Sequence, residues 1–336
     1  MTLPSPAVPP PGTIVLAAYA PREDLFRAQL LSIQAQTYSR WNCVVTADGD
    51  VDTVAALVRT VVGDDDRFTV IGGERLGFVK NFERGLAHVP PTSTWVALSD
   101  QDDVWYPEKL RLLVPELDTA TVVSGSARLV QHPSNTVLGT TDRRNTDAAG
   151  LILNNQFTGS LMVFRAGLLQ TALPIPTAPT RAAAHDHWIA VVGAHSGAVR
   201  VLDTVVQDYI QHDANVFGDP AQAPSGGLRA SLATAREMAA KYQGGTDLRS
   251  VARATFDAYV GWRQVMTDEL TARLRPSSAL TRSQRAFGSR RRLLPLAGIM
   301  AGALRRGEVP IGFAVSYLSS WFCGVVVNGR SDSRST

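Results

Sequence analysis

The chain has 336 residues, 45% of them apolar and 19% charged, with only two cysteines. That length and balance admit one large α/β domain with or without a helical appendage, and exclude a fibre, a low-complexity chain and a disulfide framework. The net charge of +3 hides a split: from Arg273 onward 11 Arg face only Glu308 and Asp332, a surplus of +9, so the preceding part carries −6. An acidic body excludes nucleic acid as a partner on charge, whereas the basic end suits an anionic surface.

Residues 1–12, MTLPSPAVPPPG, form a Pro-rich lead-in with no basic stretch ahead of an apolar one. The default expectation is a cytoplasmic location. Residues 13–19, TIVLAAY, suit a buried strand, and the segment after them has helical spacing at Leu25, Phe26, Leu30, Leu31 and Ile33. A strand in NCVVTADGD, a helix in VDTVAALVRTVV and a strand in RFTVIG follow, an alternation that predicts a parallel sheet with crossover helices. A helix over 80–88 leads to a strand over 94–100, whose end runs into the acidic cluster SDQDD at 99–103. A helix is expected from Pro107 and a strand over 119–130, with 131–150 read as loop. LMVFR (161–165) and AVRVLDTVVQDYI (198–210) are further strands on either side of a helix containing HDHWIAVVG. From about 225 the pattern is helix only, so a domain boundary is expected near 220, in GDPAQAPSGG: a domain over 13–220 and a helical region over 221–336.

In an extended backbone Asp100 and Asp102 point to the same side, so the pair could share a hard cation such as Mg²⁺ or Mn²⁺ together with substrate phosphates. The plainer alternative is an acidic helix start. His185-Asp186-His187 holds zinc-ligand types, but adjacent residues seldom reach one ion. Near the end, Val309 to Val327 carries no charge for 19 residues and is flanked upstream by Arg305 and Arg306, with Arg290, Arg291 and Arg292 before Leu293. Pro310, Gly312 and Gly324 interrupt it, which favours a peripheral membrane contact over a span, with a helical pair packed on protein as the alternative.

Several motifs in order resemble family 2 glycosyltransferases of GT-A fold, in particular a rhamnosyltransferase-like branch, over roughly residues 13–218. LSDQDDVWYPEKL is similar to the donor-site segment, with Asp100, Gln101 and Asp102 at the sugar nucleotide. Ala18-Tyr19-Ala20 and Ala47-Asp48-Gly49-Asp50 resemble the two turns around the nucleotide base, although Ala replaces the usual polar residues at 18, 20 and 47. From them only Tyr19 and Asp48 carry over. GFVKNFERGL would bring Lys80 and Asn81 to base and ribose. Asp186 aligns with the catalytic base, with His185, Gly159, Asp103 and Trp188 around the acceptor or behind the site. Tyr209-Ile210-Gln211-His212 resembles the closing element whose His is in some members a metal ligand, which makes His212 a candidate beside Asp100 and Asp102.

The resemblance therefore implies a metal-dependent inverting transferase, using Mg²⁺ or Mn²⁺ and a nucleoside-diphosphate sugar, dTDP-rhamnose or a UDP-sugar. The acceptor would be a hydroxyl of a glycan or lipid-linked glycan. A catalytically silent sugar-nucleotide-binding or assembly subunit is the alternative, and a homo-oligomer is left open. A dinucleotide-dependent oxidoreductase is disfavoured because no G-x-G-x-x-G opens the first helix.

Overall fold

The computed structural model describes residues 10–178, 184–212, 236–237, 239–241 and 243–328, with side chains to 324. The expected boundary stretch at 218–227 and most of the lead-in therefore lie outside the described residues. The chain divides into two compact units. The first comprises the described residues up to Asn145 together with Gln156–Ile175 and those from His185 to 212.

Its centre is a nine-stranded mixed sheet in the order β3-β2-β1-β4-β8-β6-β9-β5, with β7 paired to β6. The strands are β1 Gly12–Ala18, β2 Trp41–Asp48, β3 Phe68–Gly73, β4 Trp95–Ser99, β5 Val104–Trp105, β6 Val122–Gln131, β7 Thr136–Thr140, β8 Met162–Arg165 and β9 Val199–Gln211. β1, β2, β3 and β4 are mutually parallel, as the alternating pattern predicts. Beyond β4 the sheet is mixed: β6 and β9 are parallel to each other, whereas β8 runs antiparallel between β4 and β6, and β5 antiparallel on β9. The segment 131–150, read as loop, contains β7, every residue of which is exposed, so no burial pattern announced it.

Helices α1 Glu23–Gln34, α2 Val51–Val62 and α3 Phe78–Ala87 cover the parallel half. α1 turns Phe26, Leu30 and Ile33 inward at helical spacing, against Ile14, Leu16 and Cys43. Each such large apolar side chain contributes about 1.5–3 kcal/mol by leaving water. The helix expected from near Pro107 is α4, Lys109–Leu113, and a 3₁₀ turn, Val114–Asp118, follows it because Pro115 cannot donate the next helical hydrogen bond. Leu169–Ala172 forms α6, and α7, His185–Ser196, buries residues all round its circumference from His187 to Gly193.

The second unit, taken by itself, holds α5 Ala148–Leu153 and the helices α8 Leu248–Phe256, α9 Trp262–Arg273, α10 Ser278–Phe287, α11 Leu293–Arg305 and α12 Ile311–Asn328. A π-helical turn, Asp257–Gly261, joins α8 to α9. Its buried Asp257 carboxylate accepts from Arg253 at 3.0 Å and Gln243 at 3.2 Å, which satisfies a charge that burial would otherwise penalise. Met266, Leu270, Leu280, Phe287, Leu296, Met300 and Tyr317 are buried within this unit. Among the described residues no helix is long and apolar enough to cross a membrane.

Candidate active site

Because β1, β2 and β4 are parallel, their carboxyl ends share one edge, where open α/β sheets bind ligands. Tyr19, Asp48 and Asp100 follow or close those three strands. Between the ends of β1 and β2 lies a cleft of about 400 Å³ lined by Tyr19, Pro21, Asp48, Asp50, Leu57 and Arg75. The Arg75 guanidinium lies 4.3 Å from the centre of the half-exposed Tyr19 ring, a flat cationic stack suited to a base or a phosphate. Arg75 was not read from the sequence, where GGERLG offers only a polar loop.

Asp48 is buried, and its two oxygens accept from the Leu76 and Gly77 amides at 2.6 and 2.9 Å. Gly77 has φ +85, a conformation that suits glycine, and it opens α3, so Asp48 ties that helix start to β2. Asn81 is likewise enclosed: its amide donates to the Thr46 carbonyl at 2.7 Å and accepts from the Thr46 hydroxyl at 2.8 Å. Lys80 instead faces Glu83, with both carboxylate oxygens at 3.0 Å. Gln101 clamps the β1 exit, accepting from the Tyr19 amide at 2.7 Å and donating to its carbonyl at 3.2 Å.

The acidic cluster departs from the extended geometry expected of it. β4 ends at Ser99, and Gln101 and Asp102 form a bend, because Val104 and Trp105 must turn back to pair with Asp208 and Gln207 of β9. That pairing carries the chain past the end of β9 to His212. Its Nε2 lies 2.9 Å from Asp102 Oδ2, with the His212 side chain 8% and the Asp102 side chain 23% exposed. Among the described residues no three ligand-type side chains are grouped to hold a metal ion, so the structure assembles Asp102 with His212 and leaves Asp100 outside any ready-made cage. A pair of protein groups completed by waters and substrate phosphates is what Mg²⁺ ordinarily takes, so the donor set fits a hard cation.

Burial, reinforced by the charges of Asp103, Asp102 and Asp186 and opposed by Lys109, pushes the Asp100 carboxyl well above the usual carboxylate range. Asp103 is pushed up to about 7, by burial first and then by Asp102, while Ser160, Lys109 and the Ile210 amide pull it down. Carboxyls so crowded resist full ionisation in the absence of a cation.

Asp186 stands in the first turn of α7, partly exposed, and its Oδ2 accepts from the Gly159 amide at 3.1 Å while Oδ1 accepts from the His187 amide at 2.5 Å. A carboxylate fixed in this way and left partly open can take a proton from a hydroxyl. Its charge reaches Asp100, so strand-end cluster and helix-start carboxylate belong to one region. His185 beside it is buried, stacked on Phe82 at 3.9 Å, and burial pulls its pKa down. Trp188 is wholly enclosed and donates to the Ala172 carbonyl at 2.7 Å, so it supports α7 from the core and does not wall a sugar site.

Gly159 has a steric reason to be glycine: a Cβ there would meet His185 Nε2 at 2.9 Å. Gly159→Ala is expected to cost about 1–3 kcal/mol of stability by overpacking, and to shift the amide that aims Asp186. Thermal unfolding with transfer kinetics checks this; unchanged melting and turnover would refute it.

The parallel strand ends, the acidic bend and the carboxylate at the start of α7 together make a candidate ligand site at one edge of the sheet. Residues 13–169, somewhat under half of the chain, match the family model "Glycosyl transferase family 2", and that match supports a glycosyltransferase. An uncharacterized glycosyltransferase of Nostoc sp. (strain PCC 7120), alr2836, is 28% identical over 232 residues, covering 63% of this chain and 68% of that protein. Among solved structures, S. aureus TarS 1-349 in complex with UDP-GlcNAc is similar at 13% identity, covering 96% of this chain and 83% of that one, with a TM-score of 0.48. Mannosyltransferase PcManGT from Pyrobaculum calidifontis, in complex with GDP-Man and Mn2+, is similar at 19% identity, covering 99% and 90%, with a TM-score of 0.47.

Proposed function

We propose that the chain is an inverting glycosyltransferase that takes a sugar from a nucleoside-diphosphate donor and passes it to a hydroxyl of a glycan or lipid-linked glycan. The observation that carries the reading is Asp186: a carboxylate fixed by two backbone amides, partly open, and within electrostatic reach of the acidic strand end. The donor's nucleoside would enter the cleft beside Tyr19 and Arg75, with its diphosphate toward Asp102 and His212. A bound Mg²⁺ or Mn²⁺ would neutralise charge developing on the departing diphosphate. Asp186 would remove the acceptor proton as the hydroxyl attacks the anomeric carbon from the face opposite the leaving group, through a transition state with oxocarbenium character.

Among donors we favour dTDP-rhamnose, with UDP-hexoses and UDP-galactofuranose next. A donor panel with Mg²⁺ or Mn²⁺, read by released nucleoside diphosphate, tests the reading: one donor is expected to turn over in a metal-dependent way. Release from none of them would favour a silent sugar-nucleotide-binding subunit.

We further propose a peripheral membrane contact for the second unit. Leu294, Ile311, Val315 and Phe322 are exposed on α11 and α12, and the exposed Arg292 and Arg305 flank α11 in sequence, a combination of apolar and cationic groups that suits an anionic interface. Co-sedimentation with vesicles containing anionic lipid, and not with neutral vesicles, is the expected result; equal recovery from both would defeat this proposal.

A further inference from the structure

Lys109 is fully buried at the start of α4. Its ammonium donates to the Ser160 carbonyl at 2.5 Å and to Gln207 Oε1 at 2.6 Å, and lies 3.6 Å from the centre of the Trp105 ring. All three partners complement a positive charge. Burial pulls its pKa down, while Asp103 and Asp100 push it back up.

Gln207, also fully buried, uses its other amide atom twice, donating to Asp103 Oδ2 at 2.8 Å and to the Ser160 hydroxyl at 3.0 Å. Ser160 follows Gly159, whose amide holds Asp186. A continuous run of buried polar contacts thus leads from the acidic bend, through Gln207 and Lys109, to the turn that aims the carboxylate on α7. Lys109 touches neither the cleft nor Asp186, so it acts through the turn.

We infer that Lys109 is a positioning residue: held by Gln207 beneath the acidic bend, it locks the 159–160 turn, and thereby sets where the Asp186 carboxylate stands relative to the donor end of the site. The inference rests on Asp186 being the base. A displacement of about 1 Å at a reacting group costs on the order of 100-fold in rate. Lys109→Met should therefore lower kcat by about that factor while the donor KM changes less than about threefold.

The decisive measurement is a cycle with Asp186→Asn. If Lys109 acts through Asp186, adding Lys109→Met to Asp186→Asn leaves the residual kcat unchanged within about twofold. A multiplicative loss in the double variant, or a loss confined to donor KM, would overturn the inference, as would full kcat in Lys109→Met. Burial of Lys109 makes loss of fold a real outcome, so Ser160→Ala, which removes the hydroxyl that Gln207 and Asp103 share and leaves the carbonyl that Lys109 contacts, is run beside it. A kcat fall of about tenfold with donor KM held, again absent on the Asp186→Asn background, is expected there, and no fall would count against the tether. Full turnover by Asp186→Asn alone would instead dispose of the base assignment, a separate result from any of these.

Discussion

Asp186→Asn is expected to lower transfer by about 1000-fold, within the range of a positioned general base, with donor affinity nearly intact. The substitution keeps size and shape but removes the basic oxygen. The amide can still accept a hydrogen bond from one of the two backbone groups that face it, Gly159 or His187, but not from both with its NH₂ turned inward. A stability cost of about 1 kcal/mol is therefore expected as well, small enough to leave the protein folded. Steady-state transfer, donor binding measured separately and a melting curve together isolate the chemical effect. Turnover comparable to the parent in a folded variant would remove Asp186 from the mechanism and with it the observation on which the proposed function stands.

Chelation is expected to depress donor turnover by about 100-fold, equivalent to about 3 kcal/mol of lost charge stabilisation, with recovery on adding Mn²⁺ or Mg²⁺. Asp102→Asn should reproduce much of that loss at limiting metal. It leaves a side chain that can still meet His212 across the 2.9 Å contact, but removes the negative charge a hard cation needs. Asp100→Asn should do less, since the structure keeps that residue outside the Asp102–His212 pair. Titration of metal against nucleoside-diphosphate release distinguishes these cases. Turnover indifferent to chelator would refute the metal role of both residues, and a larger loss from Asp100→Asn than from Asp102→Asn would reverse their order.

How legible these features were depended on whether burial left a trace in the local pattern. α2 was read at Val51 to Val62 to the residue, because Val54, Val58 and Val62 recur on one face. β7 escaped since neither of its faces is buried, and the antiparallel placement of β8 escaped because strand direction leaves no periodic mark. In the site, residue types at strand ends and helix starts were readable: Asp100, Asp102, Asp186 and His212 converge on one edge. What their partners do was not. The side chain of Asp48 accepts from the Leu76 and Gly77 amides and that of Asn81 donates to the Thr46 carbonyl, partners that residue type alone did not reveal. Nothing in PEKL marks Lys109 as buried; Ser160 and Gln207, which hold its ammonium, come from segments far along the chain. Arg75 becomes notable only when Tyr19, from another strand end, arrives beneath it.

The late arrival of β9, which lies between β6 and β5, has a consequence for the chain as it is made. Residues 13–169, the stretch that matches the family model, emerge from the ribosome without β9 and without α7. At that moment β6 is left with an open edge where β9 will later pair with Val122 through Gln131, and Lys109 has no Gln207 to bind. Open strand edges template intermolecular pairing. An expression fragment cut at the family boundary is thus a poor object for purification, and the earliest nascent chain able to close the sheet must have delivered Gln211. Assembly of the carboxylates and closure of the sheet become one late event in synthesis, so no partly made chain carries a working site.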